Sequence, residues 1–465
     1  MYGKTHRIHF IGIGGAGMSG IAEVMLTMGY QVSGSDLKIS DVTDRLLRLG
    51  GRVFPGHHPS NVAGAQVVVY SSAVKPDNPE LKAARDAGIP VIGRAEMLAE
   101  LMRMKYGVAV GGSHGKTTTT SMIAAVLARG GLDPTIVVGG RLHALGSNAR
   151  LGHGSFLVAE ADESDGSFLR LNPAVCVITN IDREHLDHYP DLDAVRQAFV
   201  YFANRVPFYG VTLLCVDDEQ VRQILPLVTK RTLLYGTRPE AELKASRIDL
   251  IPHGSRFMVQ AAGRDLGIIE LQLPGVHNVL NALAAVAVGL EVEVAFEQIQ
   301  EALAGFRGVS RRFETRGEAH GVRVVDDYGH HPTEIAATLA AARGLGGRLL
   351  VLFQPHRFTR TASLRHEFGG CFGDADRVWV LDVYPAGEPP IPGASGKSLV
   401  ESAHERGNLK VEYAPDPSVA AAAIAAEARP GDTVITLGAG DVWKLGDEIL
   451  SRLRREVSAP EGARG

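Results

Sequence analysis

The residues Val108 to Ser121, VAVGGSHGKTTTTS, carry the strongest chemical pattern in the chain: an apolar run enters a glycine-rich turn that ends in Gly-Lys-Thr. Backbone N–H groups of Gly111, Gly112, Ser113, His114 and Gly115 can converge on a triphosphate. Lys116 can reach the β and γ oxygens, the Thr117 hydroxyl can hold Mg²⁺, and Thr118 follows at the helix start. The run Met122 to Ala128 reads as that helix, whose N-terminal partial positive charge favours an anion. Three residues separate Gly111 from Gly115 where the standard loop has four, so a glycine turn with a chance Lys-Thr is the competing reading.

A second glycine pattern stands near the start. Ile8 to Gly20, IHFIGIGGAGMSG, places Gly12, Gly14, Gly15, Gly17 and Met18 between an apolar run and the helical pattern Ile21 to Met28. Such glycines permit a tight turn and the close approach of a diphosphate. Asp36 is positioned to take a ribose hydroxyl, and Ser71 and Ser72 end the next apolar run, where strand ends face a ligand crevice. NAD and a nucleotide-sugar both offer the ribose and diphosphate this pattern suits, and an unliganded glycine turn is the bland alternative.

Farther on, Phe156 to Asp165, FLVAEADESD, ends an apolar run in a cluster of acids, and Val175 to Asp187 ends another in Asn180, further acids and His185. Beside a phosphate loop a carboxylate completes a Mg²⁺ shell, so Thr117, Glu160 and His185 form the expected metal set, with Mn²⁺ an acceptable substitute. A solvated acidic loop with a capping histidine is the alternative. His277, Asn278 and Asn281 precede the alanine-rich helix Ala282 to Val288 and suit either an adenine or a plain helix cap. Val324 to Glu334, VVDDYGHHPTE, supplies Tyr328 and His330, and Gln354 to Thr361, QPHRFTRT, supplies Arg357 and Arg360. Two guanidinium forks at i, i+3 suit a small carboxylate, against the reading of two solvated arginines and a packing histidine pair.

The elements that must position these residues read as an α/β chain. Short apolar runs such as Val67 to Tyr70 and Thr433 to Leu437 alternate with alanine-rich helical patterns such as Pro79 to Ala87 and Val419 to Ala428, which predicts parallel sheets wound by helices. The 465 residues suffice for about three domains, with breaks near Arg103 to Gly107 and Gly305 to Arg316. A hydrophobic fraction of 45% and a formal charge of −4 fit a globular enzyme and argue against nucleic acid as a main partner. Cys176, Cys215 and Cys371 are scattered through apolar runs and read as buried thiols of a reducing compartment. No apolar run is long enough to span a membrane, so the expectation is a cytoplasmic protein. Ser458 to Gly465 read as a disordered tail.

In order, GIGGAGM, SHGKTTT, EADESDGSF, TNIDREHLD, GVHNVLNA, RRFE, DDYGHHPTEI, FQPHRFTRT and DVYPAGE resemble the Mur ligases of cell-wall synthesis, most of all their alanine-adding branch, from about Ile8 to Lys444. The resemblance implies three domains: residues 1–104, Rossmann-like, for a UDP-sugar; 105–312, a central P-loop ATPase with a mainly parallel sheet; and 313–465, Rossmann-like, for the amino acid. It implies a uridine diphosphate in place of NAD at the first glycines, and ATP on Gly111 to Thr118 with His277, Asn278 and Asn281 near the adenine. Mg²⁺ would sit on Thr117, Glu160 and His185. Tyr328, His330, Arg357 and Arg360 would hold L-alanine, and Arg311 or Arg312 would lie near the phosphates or muramyl group. The implied reaction is ATP-dependent joining of L-alanine to UDP-N-acetylmuramate by a monomer or homodimer, without nucleic acid or membrane insertion. A tripeptide-recycling ligase and a non-catalytic sensor are the alternatives. Ser113 replaces the threonine common in the family and keeps its hydroxyl. No lysine occurs between Asp191 and Gly210, so the carbamoylated lysine of some sister ligases is not expected.

Overall fold

A computed structural model describes residues 6–71, 73–142, 147–185, 188–251 and 254–456. The chain divides into two compact units, one made of residues 1–246, 258–269 and 280–306, the other of 247–257, 270–279 and 307–465. The alternating strand and helix patterns form three sheets of a three-domain α/β fold, as the sequence predicts.

The first sheet has five parallel strands, in spatial order Arg52–Pro55, Gln31–Asp36, Arg7–Ile11, Val67–Tyr70 and Val91–Gly93. The winding reverses between Arg7–Ile11 and Val67–Tyr70, which leaves a crevice beyond their C-terminal ends. The first glycine turn and Ser71 stand there; Ser72 lies outside the described residues. Helix Ala16–Thr27 follows the turn and buries Met18, Ile21 and Met25 against Ile8 and Phe10. Each such aliphatic side chain contributes about 1.5–3 kcal/mol on burial.

In the second sheet, ten-stranded, Tyr106–Gly111 lies between Phe156–Glu160 and Val175–Ile178, parallel to both. Both acid-bearing loops therefore leave the sheet on either side of the second glycine turn. Helix Lys116–Arg129, longer at both ends than its alanine-rich core suggests, is buried from Thr117 to Ala124. The antiparallel strands Thr135–Leu142 and Ser147–Arg150 pack on helix Ala16–Thr27 of the first sheet.

The second unit contains a six-stranded sheet ordered Glu314–Ala319, Val322–Asp327, Thr433–Leu437, Leu349–Phe353, Arg377–Val380 and Val411–Tyr413. Its first pair is antiparallel and the rest are parallel. The loops after Asp327, Phe353 and Leu437 consequently emerge at one edge. Cys176, Cys215 and Cys371 are buried and unbridged, and burial pushes their thiols well up, to about 12 for Cys215, which makes them unreactive. Among the described residues, no helix is long and apolar enough to cross a membrane. The tail Ser458 to Gly465 lies outside the described residues.

Candidate active site

The second glycine turn is held open by the strand beside it. Ser113 N–H donates to the Asn180 carbonyl at 3.1 Å, His114 N–H to Asn180 Oδ1 at 2.8 Å, and Asp182 N–H to Ser113 Oγ at 2.8 Å. Thr179 Oγ1 donates to the His114 carbonyl at 2.7 Å, and His114 Nε2 lies 2.8 Å from Asp182 Oδ2. Glycine is required twice. Gly112 has φ +132°, and a Cβ there would stand 2.1 Å from Thr179 Oγ1; Gly115 has φ +80°, and a Cβ would stand 2.6 Å from Asn281 Oδ1.

Lys116 folds back over this turn. Its Nζ donates to the Gly112 carbonyl at 2.6 Å, the Ser113 carbonyl at 3.1 Å and Glu163 Oε1 at 2.9 Å. Burial alone would lower its pKa, but the charge and hydrogen bond of Glu163 outweigh burial and raise it. Glu163 is buried, and His185 Nε2 lies 3.4 Å from it and 3.8 Å from Glu184. Burial would lower the His185 pKa, and the same two carboxylates raise it. His185 has φ +56°, a strained backbone where functional residues concentrate.

Glu163, Glu184 and His185 each offer a ligand atom within 4.8 Å of the others. Two hard carboxylates with an imidazole fit a small divalent cation beside a phosphate site. The expected set was Thr117, Glu160 and His185. His185 is in the observed group, Glu160 ends its strand outside it, and Thr117 is buried in the first helical turn.

At the first glycine turn, Gly12 and Ile13 N–H donate to the Ser35 carbonyl at 2.8 and 3.0 Å, and Gly15 N–H to the Gly12 carbonyl at 3.2 Å. Asp36 anchors the turn: Oδ2 accepts from Gly14 N–H at 2.9 Å and Oδ1 from Lys38 N–H at 3.1 Å. The ribose role expected of Asp36 thus competes with a loop-fixing one. Gly12 has φ +79°, and a Cβ there would lie 3.4 Å from Ser71 Cβ. Gly17 is covered by Arg94, which extends to Asp162 Oδ2 at 3.1 Å.

In the second unit, the His330 and His356 ring centroids are 5.7 Å apart, and His356 stacks on Tyr384 at 5.5 Å. Arg360 Nη1 lies 3.5 Å from His356 Nδ1, and Arg357 Nε 4.0 Å from Glu388. Burial, then the charges of His330, Arg360 and Arg357, push His356 down to about 3, so it is neutral near pH 7. The Tyr328 ring lies 5.1 Å from both the Arg311 and Arg312 guanidinium carbons. Tyr328, His330, Arg357 and Arg360 are therefore gathered around one histidine-rich surface. Arg311 is engaged internally: Nε donates to Asp326 at 2.9 Å, Nη1 to the Gly440 carbonyl at 3.1 Å and Nη2 to the Gly438 carbonyl at 2.6 Å. Arg312 pairs with Glu334 at 3.6 Å.

The residues expected near adenine separate by role. Asn278, in the first turn of helix Val276–Glu291, donates Nδ2 to the Pro274 carbonyl at 2.8 Å and so ties the helix to the loop before it, and Asn281 Oδ1 accepts from Thr119 Oγ1 at 3.0 Å, behind the phosphate turn. Burial, then Arg312, push His277 down to about 4. Sequence reasoning missed Glu163, Glu184, Arg94, Tyr384 and Glu388. Glu163 and Glu184 lie within the acid-rich stretches already noted, where no periodicity tells which acid turns inward.

Comparison with known proteins adds independent findings. The Mur ligase family catalytic domain matches residues 7–106, the Mur ligase middle domain 110–289, and the Mur ligase glutamate ligase domain 311–440. The chain is 56% identical over 458 residues to a UDP-N-acetylmuramate–L-alanine ligase of Solibacter usitatus, covering 98% of this chain and 97% of the relative. It is 55% identical over 456 residues to one of Geobacter sp. strain M21, covering 98% and 99%. Among solved structures, a UDP-N-acetylmuramate–alanine ligase of Thermotoga maritima superposes with a TM-score of 0.80 at 29% identity, covering 97% and 100% of the two chains.

Proposed function

The chain belongs to the Mur ligase family, and from that premise we propose that it joins L-alanine to the lactyl carboxylate of UDP-N-acetylmuramate in peptidoglycan precursor synthesis, converting ATP to ADP and phosphate. The observation that carries this reading is identity of 53–56% over nearly the whole chain to relatives named for that reaction. These substrates imply a cytoplasmic reaction.

A carboxylate and an amine do not condense readily in water, so the carboxylate first needs a leaving group, which the γ-phosphoryl of ATP supplies. The lactyl carboxylate attacks the γ-phosphorus in line and expels ADP, while Lys116 and the amides of Gly112 and Gly115 neutralise the charge that develops, those of Ser113 and His114 being held by Asn180. Lys116 exchanges Glu163 for phosphate oxygens on nucleotide entry. Glu163, Glu184 and His185 would hold Mg²⁺, which when bound supplies charge neutralisation on the phosphates. The product is an acyl phosphate. L-alanine, with its carboxylate on Arg357 and Arg360, attacks the acyl carbon and expels phosphate. His330, whose Nδ1 lies 3.0 Å from the Tyr328 carbonyl, orients or deprotonates the amine. The UDP portion occupies the Gly12 to Gly17 turn beside Ser71.

The test is phosphate release from ATP and Mg²⁺ with UDP-N-acetylmuramate, offered no amino acid, L-alanine, glycine, L-serine or the recycling tripeptide. Release that needs both the UDP-sugar and L-alanine, with UDP-N-acetylmuramyl-L-alanine seen by mass, is the expected result. Preference for the tripeptide, or no turnover with intact UDP-sugar binding, would overturn it.

A further inference from the structure

Two consecutive acids, Asp162 and Glu163, each hold a cation that faces a different glycine turn. Glu163 takes Lys116 of the ATP turn at 2.8 Å. Asp162 takes Arg94 at 3.1 Å. Arg94 opens helix Arg94–Arg103 at the C-terminal end of strand Val91–Gly93, on the crevice side of the first sheet. Its other edge lies on Gly17, the last glycine of the sugar-side turn: a Cβ built at Gly17 would stand 3.0 Å from Arg94 Nη1 and 3.1 Å from its Cδ. Asp162 cannot follow Arg94 far, because Oδ1 is fixed by Ser164 N–H at 3.1 Å.

We propose that Arg94 is a positioning residue that couples occupancy of the two nucleotide sites. The inference rests on the reading of the Gly12 to Gly17 turn as the UDP-sugar diphosphate site. A diphosphate seated at the N-terminal end of helix Ala16–Thr27 attracts the adjacent guanidinium. As Arg94 turns towards it, the Asp162–Glu163 segment loses a positive charge and becomes a stronger site for the cation that accompanies ATP. Binding of the UDP-sugar thus tightens binding of the magnesium–nucleotide, and by linkage the nucleotide tightens the UDP-sugar by the same factor.

A second ion pair joins the same two segments without touching either turn, Arg170 Nη1 to Glu96 Oε2 at 2.7 Å. It supplies the control. Calorimetric titration of the full-length enzyme with a non-hydrolysable ATP analogue and Mg²⁺, with and without saturating UDP-N-acetylmuramate, measures the coupling. The wild type should show tightening of about tenfold, within the usual range for coupled sites. Arg94→Gln and Asp162→Asn should bring that factor to within about twofold of unity while each ligand still binds alone. Arg94→Lys should restore part of it, and Glu96→Gln should retain all of it. Full coupling in Arg94→Gln, or equal loss in Glu96→Gln, would overturn the proposal, the second result reducing Arg94 to a structural tie. A wild type that binds UDP-N-acetylmuramate without tightening the analogue overturns the coupling alone. A wild type that binds no UDP-sugar overturns the diphosphate reading as well.

Discussion

Replacing Glu163 by glutamine should destabilise the free enzyme more than the nucleotide-bound one. Glu163 Oε2 lies 2.8 Å from Lys116 Nζ, and the side chains are 2% and 17% exposed. At an effective dielectric constant of about 20, that separation corresponds to a gross attraction of about 6 kcal/mol. Desolvation offsets much of it, and removing one partner of a buried pair typically costs about 3–5 kcal/mol. Glutamine keeps an acceptor for Nζ, and Lys116 retains the Gly112 and Ser113 carbonyls, so the expected loss is about 2–3 kcal/mol. In a unit of this size that amounts to a fall of about 3–6 °C in Tm. Nucleotide phosphates replace Glu163 as counter-ion for Lys116, so the deficit should shrink by at least half with saturating ADP. Thermal unfolding of both proteins, with and without ADP and without added metal, provides the readout. An equal deficit in both conditions, or none in either, would refute the role assigned to this pair.

Other consequences follow from the same geometry. Gly115→Ala forces a side chain into left-handed backbone against Asn281, and should weaken ATP binding at least tenfold by calorimetry; an unchanged Kd would show that the turn tolerates a Cβ. Glu80 is buried, and although burial would raise its pKa, the His9 imidazole 3.7 Å away together with hydrogen bonds from Ser35 and Asn61 holds it at about 2. Its folded pKa lies below the unfolded one, so it contributes stability above about pH 4.5 that disappears as pH falls towards 2, about 3 kcal/mol in all. Denaturant midpoints of wild type and Glu80→Gln should therefore converge in acid; parallel profiles would contradict this. Arg357→Ala and Arg360→Ala should each raise KM for L-alanine at least tenfold with little change in KM for ATP, and Arg357→Lys should not restore it, since lysine lacks the guanidinium fork. Equal effects on both substrates would place these arginines elsewhere in the reaction.

The sheets were legible because their strands are buried on both faces. Val67 to Tyr70 and the β-branched run Thr433 to Leu437 both appear as strands with those bounds. The glycine turns were legible for a similar reason, since Gly12, Gly112 and Gly115 occupy backbone that side chains rarely adopt. Loop side chains were not. In the acid stretch, Glu160 ends a strand while Asp162 and Glu163 turn to Arg94 and Lys116, and only the fold brings Arg94 across 68 residues of sequence. Arg311 shows the same limit: the RRFE motif does not disclose that its guanidinium binds Asp326 and two carbonyls of the loop at Gly438 and Gly440.

The proposed reaction turns on activation of the lactyl carboxylate by ATP. UDP-N-acetylmuramate labelled with ¹⁸O in that carboxylate should yield, with ATP and L-alanine, inorganic phosphate carrying one labelled oxygen per turnover, and Lys116→Ala should slow its appearance on the order of a hundredfold or more. Unlabelled phosphate formed alongside the amide would contradict the acyl-phosphate route and the part assigned to the Lys116 turn.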